Sequence, residues 1–318
     1  MLLVNLGTPD AADIPSVRRY LAEFLSDRRV VELPRIFWTP LLHGVVLRRR
    51  PKTTAANYAR VWTGDGSPLA SITKAQAAAM ATAFPDVMVD WAMRYGNPSI
   101  PDRLAALKDA GCERILIAPL YPQYSSATTG TVNQQVYETV SSWRWQPALR
   151  TLPAYHDDPA YIQALAASVE ASLSALDFKP QLVLASFHGM PRRTLDLGDP
   201  YHCHCRKTAR LLAGRLSLPL RVSFQSRLGR AEWLKPYTDA TLTELAAEGI
   251  TKVAVVSPGF SADNLETLDE IAREGRETFM ENGGVDFAYL PCLNATDIGV
   301  EMLKDLLRRE LAGWATPQ

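Results

Sequence analysis

Residues 104–119 read LAALKDAGCERILIAP, and residues 242–258 read LTELAAEGITKVAVVSP. Both stretches contain a predicted helix, a glycine, a basic residue, a run of apolar residues and then a proline. Gly111 and Gly249 supply the left-handed conformation that ends a helix, and the apolar run predicts a buried strand that stops at the proline. A helix followed by a strand, occurring twice, indicates parallel α/β architecture built from two similar halves.

The same alternation of helices and strands extends over the rest of the chain. The segments LLVNLGTP (2–9) and LVLASFHGMP (182–191) form a second related pair, each a strand that runs into a turn with glycine and proline. Several strand candidates are continuous apolar runs, which is typical of strands covered on both faces. The predicted strands are Leu2–Asn5, Val87–Met93, Arg114–Ala118, Leu182–Phe187, Leu220–Phe224 and Lys252–Val256.

The length and the order of the related segments predict two domains. With 318 residues the chain exceeds what one hydrophobic core usually organises. We predict an N-terminal α/β lobe at 1–157 and a C-terminal α/β lobe at 158–318, and the last helix can pack back on the first lobe. Ligands of open α/β sheets bind beyond the carboxyl ends of the strands, so two such lobes predict a cleft lined by the loops that follow them.

Composition excludes several classes of protein. Lysine plus arginine and aspartate plus glutamate number 34 each, so no overall positive field favours nucleic acid. Four cysteines are too few for the disulfide scaffold of a secreted chain of this size. The N-terminus lacks the basic region and the long apolar core of a signal peptide. We therefore expect a cytoplasmic protein.

One apolar segment could lie against a membrane. Residues 36–47, IFWTPLLHGVVL, are shorter than the ~18–20 residues of a membrane-spanning helix and are followed by three arginines. Apolar and aromatic residues beside a basic cluster favour contact with a lipid surface, here the inner membrane. A partly buried helix with a solvated end explains the same pattern.

Unusual polar residues follow several of the predicted strands. His188 comes at the end of a buried strand, where a neutral imidazole could accept a proton or bind a divalent metal ion, or simply complete the sheet edge. Glu266, Glu270 and Glu274 are spaced i, i+4 and i+8 in a helix predicted to begin near Asp263, which puts the carboxylates on one face. Such a row can relay protons or pass on a hard cation; the alternative is a solvated acidic face paired with Arg273.

Other local patterns carry less information. Residues 202–205, His-Cys-His-Cys, would point their side chains alternately to opposite sides of an extended chain, and structural zinc sites space their ligands more widely. A structural role is therefore favoured over a metal site. The glycines of GDG (64–66) match no nucleotide-binding motif.

Taken together, the chain resembles the ferrochelatases. The resemblance covers nearly the whole sequence and is carried by motifs in the family order. They are LLVNLGTPD (2–10), GDGSPL (64–69), MRYGNPS (93–99), PLYPQYSSATTGT (119–131), SFHGMPRR (186–193), GDPYHCHC (198–205), SFQSRLGRAEWLKP (223–236) and SPGFSADNLETLDE (257–270).

The resemblance implies a chelatase fold of two similar Rossmann-like lobes, each a four-stranded parallel sheet flanked by helices, with an active-site cleft between them. It implies that His188 and Glu266 are catalytic and contact the metal ion, and that Glu270 and Glu274 continue the metal site. It further implies a set of porphyrin-binding positions. These are Leu6, Arg50, Tyr58, Ser67, Arg94, Tyr95, Tyr121, Ser125 and Thr128.

Two departures from the family pattern stand out. Some relatives hold a [2Fe–2S] cluster through cysteines at the C-terminus and in the Y-P-Q-Y loop. This chain has Ser126 in that loop and ends ELAGWATPQ, so we expect no cluster and no cofactor beyond the substrate Fe²⁺. Many relatives also carry a histidine just before the glutamate motif, where this chain has Asn264.

The expected activity is insertion of Fe²⁺ into protoporphyrin IX to form protoheme, the last step of heme biosynthesis. Coproporphyrin III is the alternative substrate, and a sister chelatase acting on cobalt or nickel shares the fold. A non-catalytic cytoplasmic carrier of heme or porphyrin is the alternative from another class of protein. The expected partners are porphyrin and ferrous iron, with no nucleic acid, and the chain is expected to be a monomer with peripheral membrane contact through residues 36–50.

Overall fold

The computed structural model describes residues 1–227, 229 and 231–314. Strands and helices alternate along the chain, as the sequence predicts. The strands are β1 Leu2–Thr8, β2 Asp90–Gly96, β3 Arg114–Pro119, β4 Ala148–Thr151, β5 Leu182–His188, β6 Leu220–Gln225, β7 Lys252–Val256 and β8 Asp286–Leu290. The α-helices are α1 Ile14–Ser26, α2 Arg35–Leu41, α3 Leu47–Val61, α4 Pro68–Ala83, α5 Ile100–Asp109, α6 Thr131–Ser141, α7 Pro159–Ser174, α8 Arg192–Asp196, α9 Tyr201–Ala213, α10 Thr238–Ala247, α11 Arg276–Glu281 and α12 Asp297–Leu311.

Four of the strands form a parallel sheet in the order β2-β1-β3-β4. The central strands β1 and β3 are almost entirely buried, because helices α1, α4, α5 and α6 pack against the sheet. The second strand begins at Asp90, three residues later than predicted, because its register pairs Leu2 with Asp90.

The other four strands repeat this topology in the order β6-β5-β7-β8, again all parallel. The related segments of the sequence occupy equivalent places: α5 with β3 corresponds to α10 with β7, and β1 corresponds to β5. Gly111 and Gly249 end their helices at the same φ of +83°. Two similar four-stranded parallel sheets flanked by helices are confirmed.

In the described part of the chain, three segments are wound as π-helix, which has one residue more per hydrogen-bonded turn than the α-helix and is frequent at functional sites. They are Leu42–Val46, Ser126–Gly130 and Glu266–Gly275. The third carries the predicted carboxylate row and continues directly into α11.

The chain divides into two compact units that are each discontinuous in sequence. The first unit contains residues 1–120, 126–153 and the described residues from Leu303 onward. The second contains residues 121–125 and 154–302. Its core packs the apolar faces of α10 and the π-helix on the sheet, with Leu184, Leu242, Val255, Ile271 and Phe279 among the buried side chains.

No helix in the described part of the chain is both long enough and apolar enough to span a membrane.

Candidate active site

His188 is the last residue of β5 in the second unit. The preceding six residues of the strand are buried, whereas His188 is half-buried. Its Nδ1 lies 2.7 Å from the carbonyl oxygen of Gly189. Because a carbonyl oxygen only accepts, this contact requires the proton on Nδ1, so Nε2 is the ring nitrogen that can accept a proton or bind a metal ion.

Gly189 fixes the turn that follows the histidine. Its N–H donates to the carbonyl oxygen of Gln225 at 2.7 Å. A Cβ at this position would lie 2.5 Å from that same oxygen, so the close approach of the two backbones requires glycine. The Tyr201 hydroxyl donates to the His188 carbonyl at 3.0 Å and holds the strand end from the other side.

The predicted carboxylate row lies on the π-helix of the same unit. Burial is the main reason that the pKa of Glu266 is raised. Burial, and then the charge of Glu266, raise the pKa of Glu270 to about 7, while a hydrogen bond from Ser226 and the charge of His188 act in the opposite direction. The structure therefore brings His188, Glu266 and Glu270 together, and Glu274 also contributes to the field at Glu270.

Exposure increases along the row toward Glu274, whose side chain is 51% exposed. Arg273 pairs with Glu274 at 2.6 Å, with Asp269 at 2.7 Å and with Glu277 at 3.1 Å. The interpretation as a solvated acidic face therefore describes the outer end of the row. Among the described residues, the charges of Glu266 and Glu274 raise the pKa of Glu270, and the charge of His188 lowers it.

Asn264 occupies the position where many relatives have histidine. Its Oδ1 accepts the N–H of Thr267 at 3.0 Å, and its own N–H donates to Thr267 Oγ1 at 3.0 Å. These reciprocal bonds cap the start of the helix that carries Glu266. Asn264 is only 5% exposed, so its side chain has a structural role here.

In the first unit, Arg94 and Tyr95 converge on a residue that sequence reasoning missed. Arg94 Nη2 lies 2.6 Å from Asp27 Oδ2, and the Tyr95 hydroxyl donates to the same oxygen at 2.8 Å. Thr131 Oγ1 also donates to Asp27. Burial alone would raise the pKa of Asp27, but these hydrogen bonds and the Arg94 charge lower it overall. Asp27 therefore stays ionised within this network.

The other predicted porphyrin positions of the first unit lie on several elements. Leu6 is half-buried on β1, and Arg50 is exposed on α3. The ring of Tyr58, also on α3, is 5% exposed and makes edge contacts with Tyr20 and Trp62. Ser67 precedes α4 and accepts a 2.8 Å bond from Thr8, and Thr128 is half-buried in the π-helical turn.

Tyr121 and Ser125 belong to the second unit. Tyr121 is 9% exposed, and Ser125 donates to Asp199 at 3.2 Å. The backbone N–H of Tyr124, in the same loop, donates to His204 Nδ1 at 3.2 Å. Residues of the loop that follows β3 are thus tied to the start of α9.

The His-Cys-His-Cys run is helical, so the alternation of side chains along an extended chain does not apply to it. It forms the first turn of α9, where Cys203 is exposed and Cys205 is buried. The ring of His204 stacks on His156, with centroids 3.5 Å apart. Burial, and then the charge of His204, lower the pKa of His156 to about 4, so this pair is neutral at pH 7.

All four cysteines are free thiols: Cys112, Cys203, Cys205 and Cys292. Among the described residues, no three or more histidine, cysteine, aspartate or glutamate side chains are grouped so that they could hold a metal ion. The metal contacts assigned to His188, Glu266, Glu270 and Glu274, and the expectation of no iron–sulfur cluster, stay predictions.

Sequence reasoning also missed Gln225 and Ser226, which contact the carboxylate row. Gln225 Nε2 donates to the backbone oxygen of Glu266 at 2.9 Å, and Ser226 Oγ donates to Glu270 Oε2. The place of both residues can be predicted from the sheet, because Gln225 pairs in register with His188 at the carboxyl end of the neighbouring strand. The motif SFQSRLGR at the end of β6 therefore indicates polar residues close to His188.

Known proteins match this chain along almost its whole length. The family model described as Ferrochelatase matches residues 1–311. The ferrochelatase of Rhizobium meliloti is 56% identical over 99% of this chain and 95% of its own length. That of Brucella anthropi is 52% identical over 99% and 92%, respectively.

A solved structure shares the fold at low sequence identity. SirB from Bacillus subtilis, in its structure with Fe³⁺, superimposes with a TM-score of 0.58 at 14% identity, covering 78% of this chain and 93% of that one. With a family match from the first residue to residue 311 and relatives more than half identical, the chain belongs to the ferrochelatase family.

Proposed function

We propose that this chain inserts Fe²⁺ into a porphyrin ring, with His188 and Glu266 as the catalytic residues. The observation that carries the proposal is the grouping of His188, Glu266 and Glu270 at the carboxyl end of one sheet, in a chain of this family. Free-base porphyrin must lose two pyrrole protons when the metal ion enters, so the reaction requires proton acceptors beside the ring.

The side chains of the group suit this chemistry. An imidazole nitrogen such as Nε2 of His188 can accept a pyrrole proton or hold the incoming Fe²⁺. A carboxyl group whose pKa is about 7, as at Glu270, can both take up and release a proton near neutral pH. In the balanced reaction, Fe²⁺ replaces two N–H protons, and both protons leave to solvent.

The increasing exposure from Glu266 to Glu274 gives the row a direction. We infer that Glu270 and Glu274 connect Glu266 with solvent, either for protons that leave or for Fe²⁺ that enters. Carboxylate oxygens are ligands for hard divalent cations as well as proton acceptors, so one row can serve both movements.

The porphyrin side chains are proposed to meet the predicted positions of the first unit and of the loop after β3. Arg50, Tyr58 and Ser67 are proposed for the ring carboxylates. Arg94 and Tyr95 use their polar groups on Asp27, so their proposed contribution is to shape the region around Thr131. We propose protoporphyrin IX as the ring, because the exposed apolar segment near Arg50 suits a ring with two carboxylates better than coproporphyrin III with four.

Anaerobic turnover with Fe²⁺ tests the proposal directly. Wild-type protein is offered protoporphyrin and coproporphyrin in parallel, and formation of the metalloporphyrin is followed by absorbance. His188→Ala should abolish insertion while porphyrin still binds. His202→Ala, which replaces an imidazole on α9 that stacks on Phe224, is the matched control and should keep wild-type turnover.

The outcome also separates the enzyme from a carrier. Tight porphyrin binding by wild-type protein without insertion above the uncatalysed rate would support a heme or porphyrin carrier and overturn the proposal. Glu266→Gln should lower turnover strongly in an enzyme, because the amide cannot accept a proton, whereas a carrier would bind porphyrin unchanged. Faster insertion of Co²⁺ or Ni²⁺ than of Fe²⁺ would indicate a sister chelatase.

We further propose peripheral contact with an anionic membrane surface through residues 36–50. Trp38 is buried and its indole N–H donates to the Leu25 carbonyl at 2.7 Å, which anchors α2. The anchor leaves Ile36 and Phe37 77% and 74% exposed. Such exposed apolar neighbours mark an interaction surface, and the exposed arginines 48–50 would attract anionic lipid.

Vesicle flotation tests this contact. Wild-type protein should float with vesicles that contain anionic lipid, and Ile36→Glu with Phe37→Glu should abolish flotation. Leu197→Glu is the matched control, because Leu197 is an apolar residue that is 64% exposed and belongs to the second unit. Wild-type protein that stays at the bottom with every vesicle composition would overturn the membrane proposal. The monomeric state and the cytoplasmic location stay predictions.

A further inference from the structure

The end of β6 contacts two successive turns of the carboxylate row through two consecutive residues. Gln225 is the last residue of the strand and pairs in register with His188. Ser226 follows with a φ of +62°, in the left-handed region that a residue with a side chain rarely adopts. Conformations of this kind are found where the surrounding structure holds them, often at functional sites.

Gln225 anchors the start of the π-helix from within the sheet. Its side chain is 5% exposed, and its Nε2 donates to the Glu266 carbonyl at 2.9 Å. Its Oε1 accepts a 2.8 Å bond from Ser186, which contacts Thr238 at 2.8 Å. Because both ends of the amide are bonded and buried, Gln225 fixes the backbone that leads into Ser226.

Ser226 then reaches the next turn of the row. Its hydroxyl donates to Glu270 Oε2. Among the residues that the structure describes, Ser226 is the one side-chain hydrogen-bond donor to the Glu270 carboxylate. The other groups that act on Glu270 are charges, and charges exert no directional constraint comparable to a hydrogen bond.

We propose that Ser226 is a positioning residue, which holds the Glu270 carboxylate in the orientation that passes Fe²⁺ or protons between Glu266 and solvent. This inference rests on the proposed function of the row. Ser226 acts through Glu270 and not on the porphyrin, and its left-handed backbone, set by Gln225, aims the hydroxyl at that carboxylate.

Three variants at one position separate the hydroxyl from the backbone. Ser226→Ala removes the hydroxyl donor and leaves a residue for which a positive φ is strained. Ser226→Gly also removes the donor, but glycine adopts this φ without strain. Ser226→Asn keeps a side-chain donor in a residue type that tolerates this φ. We expect Ala and Gly to reduce kcat/KM for Fe²⁺ by about tenfold, the size of one hydrogen bond to a charged group. Asn should recover at least part of the loss.

A merely structural role would affect both substrates, whereas a positioning role should change the kinetics for Fe²⁺ and leave the affinity for porphyrin unchanged. The KM for Fe²⁺ or kcat should change in the Ala and Gly variants, whereas the porphyrin Kd, measured by fluorescence quenching, should stay at the wild-type value. Gly should also be at least as stable to heat as Ala. Ser217→Ala is the matched control, because Ser217 donates to Glu170 at 3.3 Å in the same unit, far along the sequence from the row.

The inference is overturned if Ser226→Ala and Ser226→Gly insert iron as wild-type protein does. It is equally overturned if both lose affinity for porphyrin and for Fe²⁺ to the same extent, since that indicates general disruption. Failure of the proposed function looks different, because wild-type protein itself would then not insert Fe²⁺.

Discussion

At the scale of single residues, a carboxyl group buried beside another carboxyl group keeps its proton to a higher pH than it does in water. Burial and the Glu266 charge raise the pKa of Glu270 from 4.5 to about 7. Between these values the folded state holds more protons than the unfolded state. The contribution of Glu270 to stability therefore falls as the pH rises from about 4.5 to about 7.

Glu270→Gln should consequently stabilise the protein at high pH. We expect the free energy of unfolding to rise by about 1 to 3 kcal/mol at pH 8, with little gain at pH 4, where wild-type Glu270 is already neutral. Urea unfolding at the two pH values measures the difference. Glu274→Gln is the control, because Glu274 is half-exposed and paired with Arg273, and its loss should lower stability slightly. Equal gains at pH 4 and pH 8 would contradict the assignment of a buried, protonated carboxyl group.

At the scale of elements, the start of the π-helix depends on its cap. Asn264 and Thr267 satisfy N–H groups at the start of the helix that would otherwise lack a partner in a buried region. Asn264→Ala should lower the free energy of unfolding by about 1 kcal/mol. Asn264→Asp and Asn264→Ser should be nearly as stable as wild-type protein, because both side chains can also cap a helix.

The histidine of many relatives can be tested at the same position. Asn264→His should lose stability as Ala does if the cap is the main role of the residue, and thermal unfolding of the four variants gives the ranking. A histidine variant that is as stable as wild-type protein would show that the bond from the Thr267 N–H contributes little.

The sequence predicts the interior of the fold better than its edges. The six predicted strands include the four central ones, because continuous apolar runs identify strands that are covered on both faces. The missed strands, Ala148–Thr151 and Asp286–Leu290, are short edge strands with largely half-exposed residues, so neither hydrophobic run nor alternation is pronounced. The π-helical winding of residues 266–275 also left no signal, since periodicity predicts a helix but not its hydrogen-bond pattern.

For the candidate site, local sequence patterns identify some residues and not others. Residues that follow strands were found, because parallel strands end at one edge of a sheet and His188 stands out there. Asp27 was missed because it meets Arg94 across 67 positions of sequence, and no local pattern indicates such a contact. The argument from alternation in the His-Cys-His-Cys run holds only for an extended chain, and no local pattern indicates that α9 begins at Tyr201.

At the scale of the whole molecule, the chain repeats one topology twice but does not divide at a single point. Residues 121–125 belong to the second unit although they lie between segments of the first, and the described residues from Leu303 onward belong to the first. The division between residues 157 and 158 stays a prediction. Tyr121, a predicted site residue, lies in residues 121–125, where the chain passes from the first unit to the second and back.

The C-terminal segment, from Leu303 onward, contributes buried leucines to the first unit. Leu303, Leu306, Leu307 and Leu311 are at most 7% exposed. Arg150, on β4, donates to the Glu310 carbonyl at 2.7 Å and to the Ala312 carbonyl at 2.8 Å, and its guanidinium lies 4.2 Å from the Trp314 ring. Burial of a leucine contributes about 1.5 to 3 kcal/mol, so the four together contribute as much as the whole stability of a typical domain.

A chain that ends at Met302 should therefore lose the cooperative unfolding of its first unit. Limited proteolysis should cut within residues 1–120 of the truncated chain, while the second unit keeps its resistance. Arg150→Ala should lower the free energy of unfolding by only about 1 to 2 kcal/mol, because it removes hydrogen bonds but leaves the leucines. Arg144→Ala, at an exposed arginine of the same segment, is the control and should leave stability unchanged. If the truncated chain resisted protease throughout the first unit, the buried leucines would contribute far less than their burial predicts.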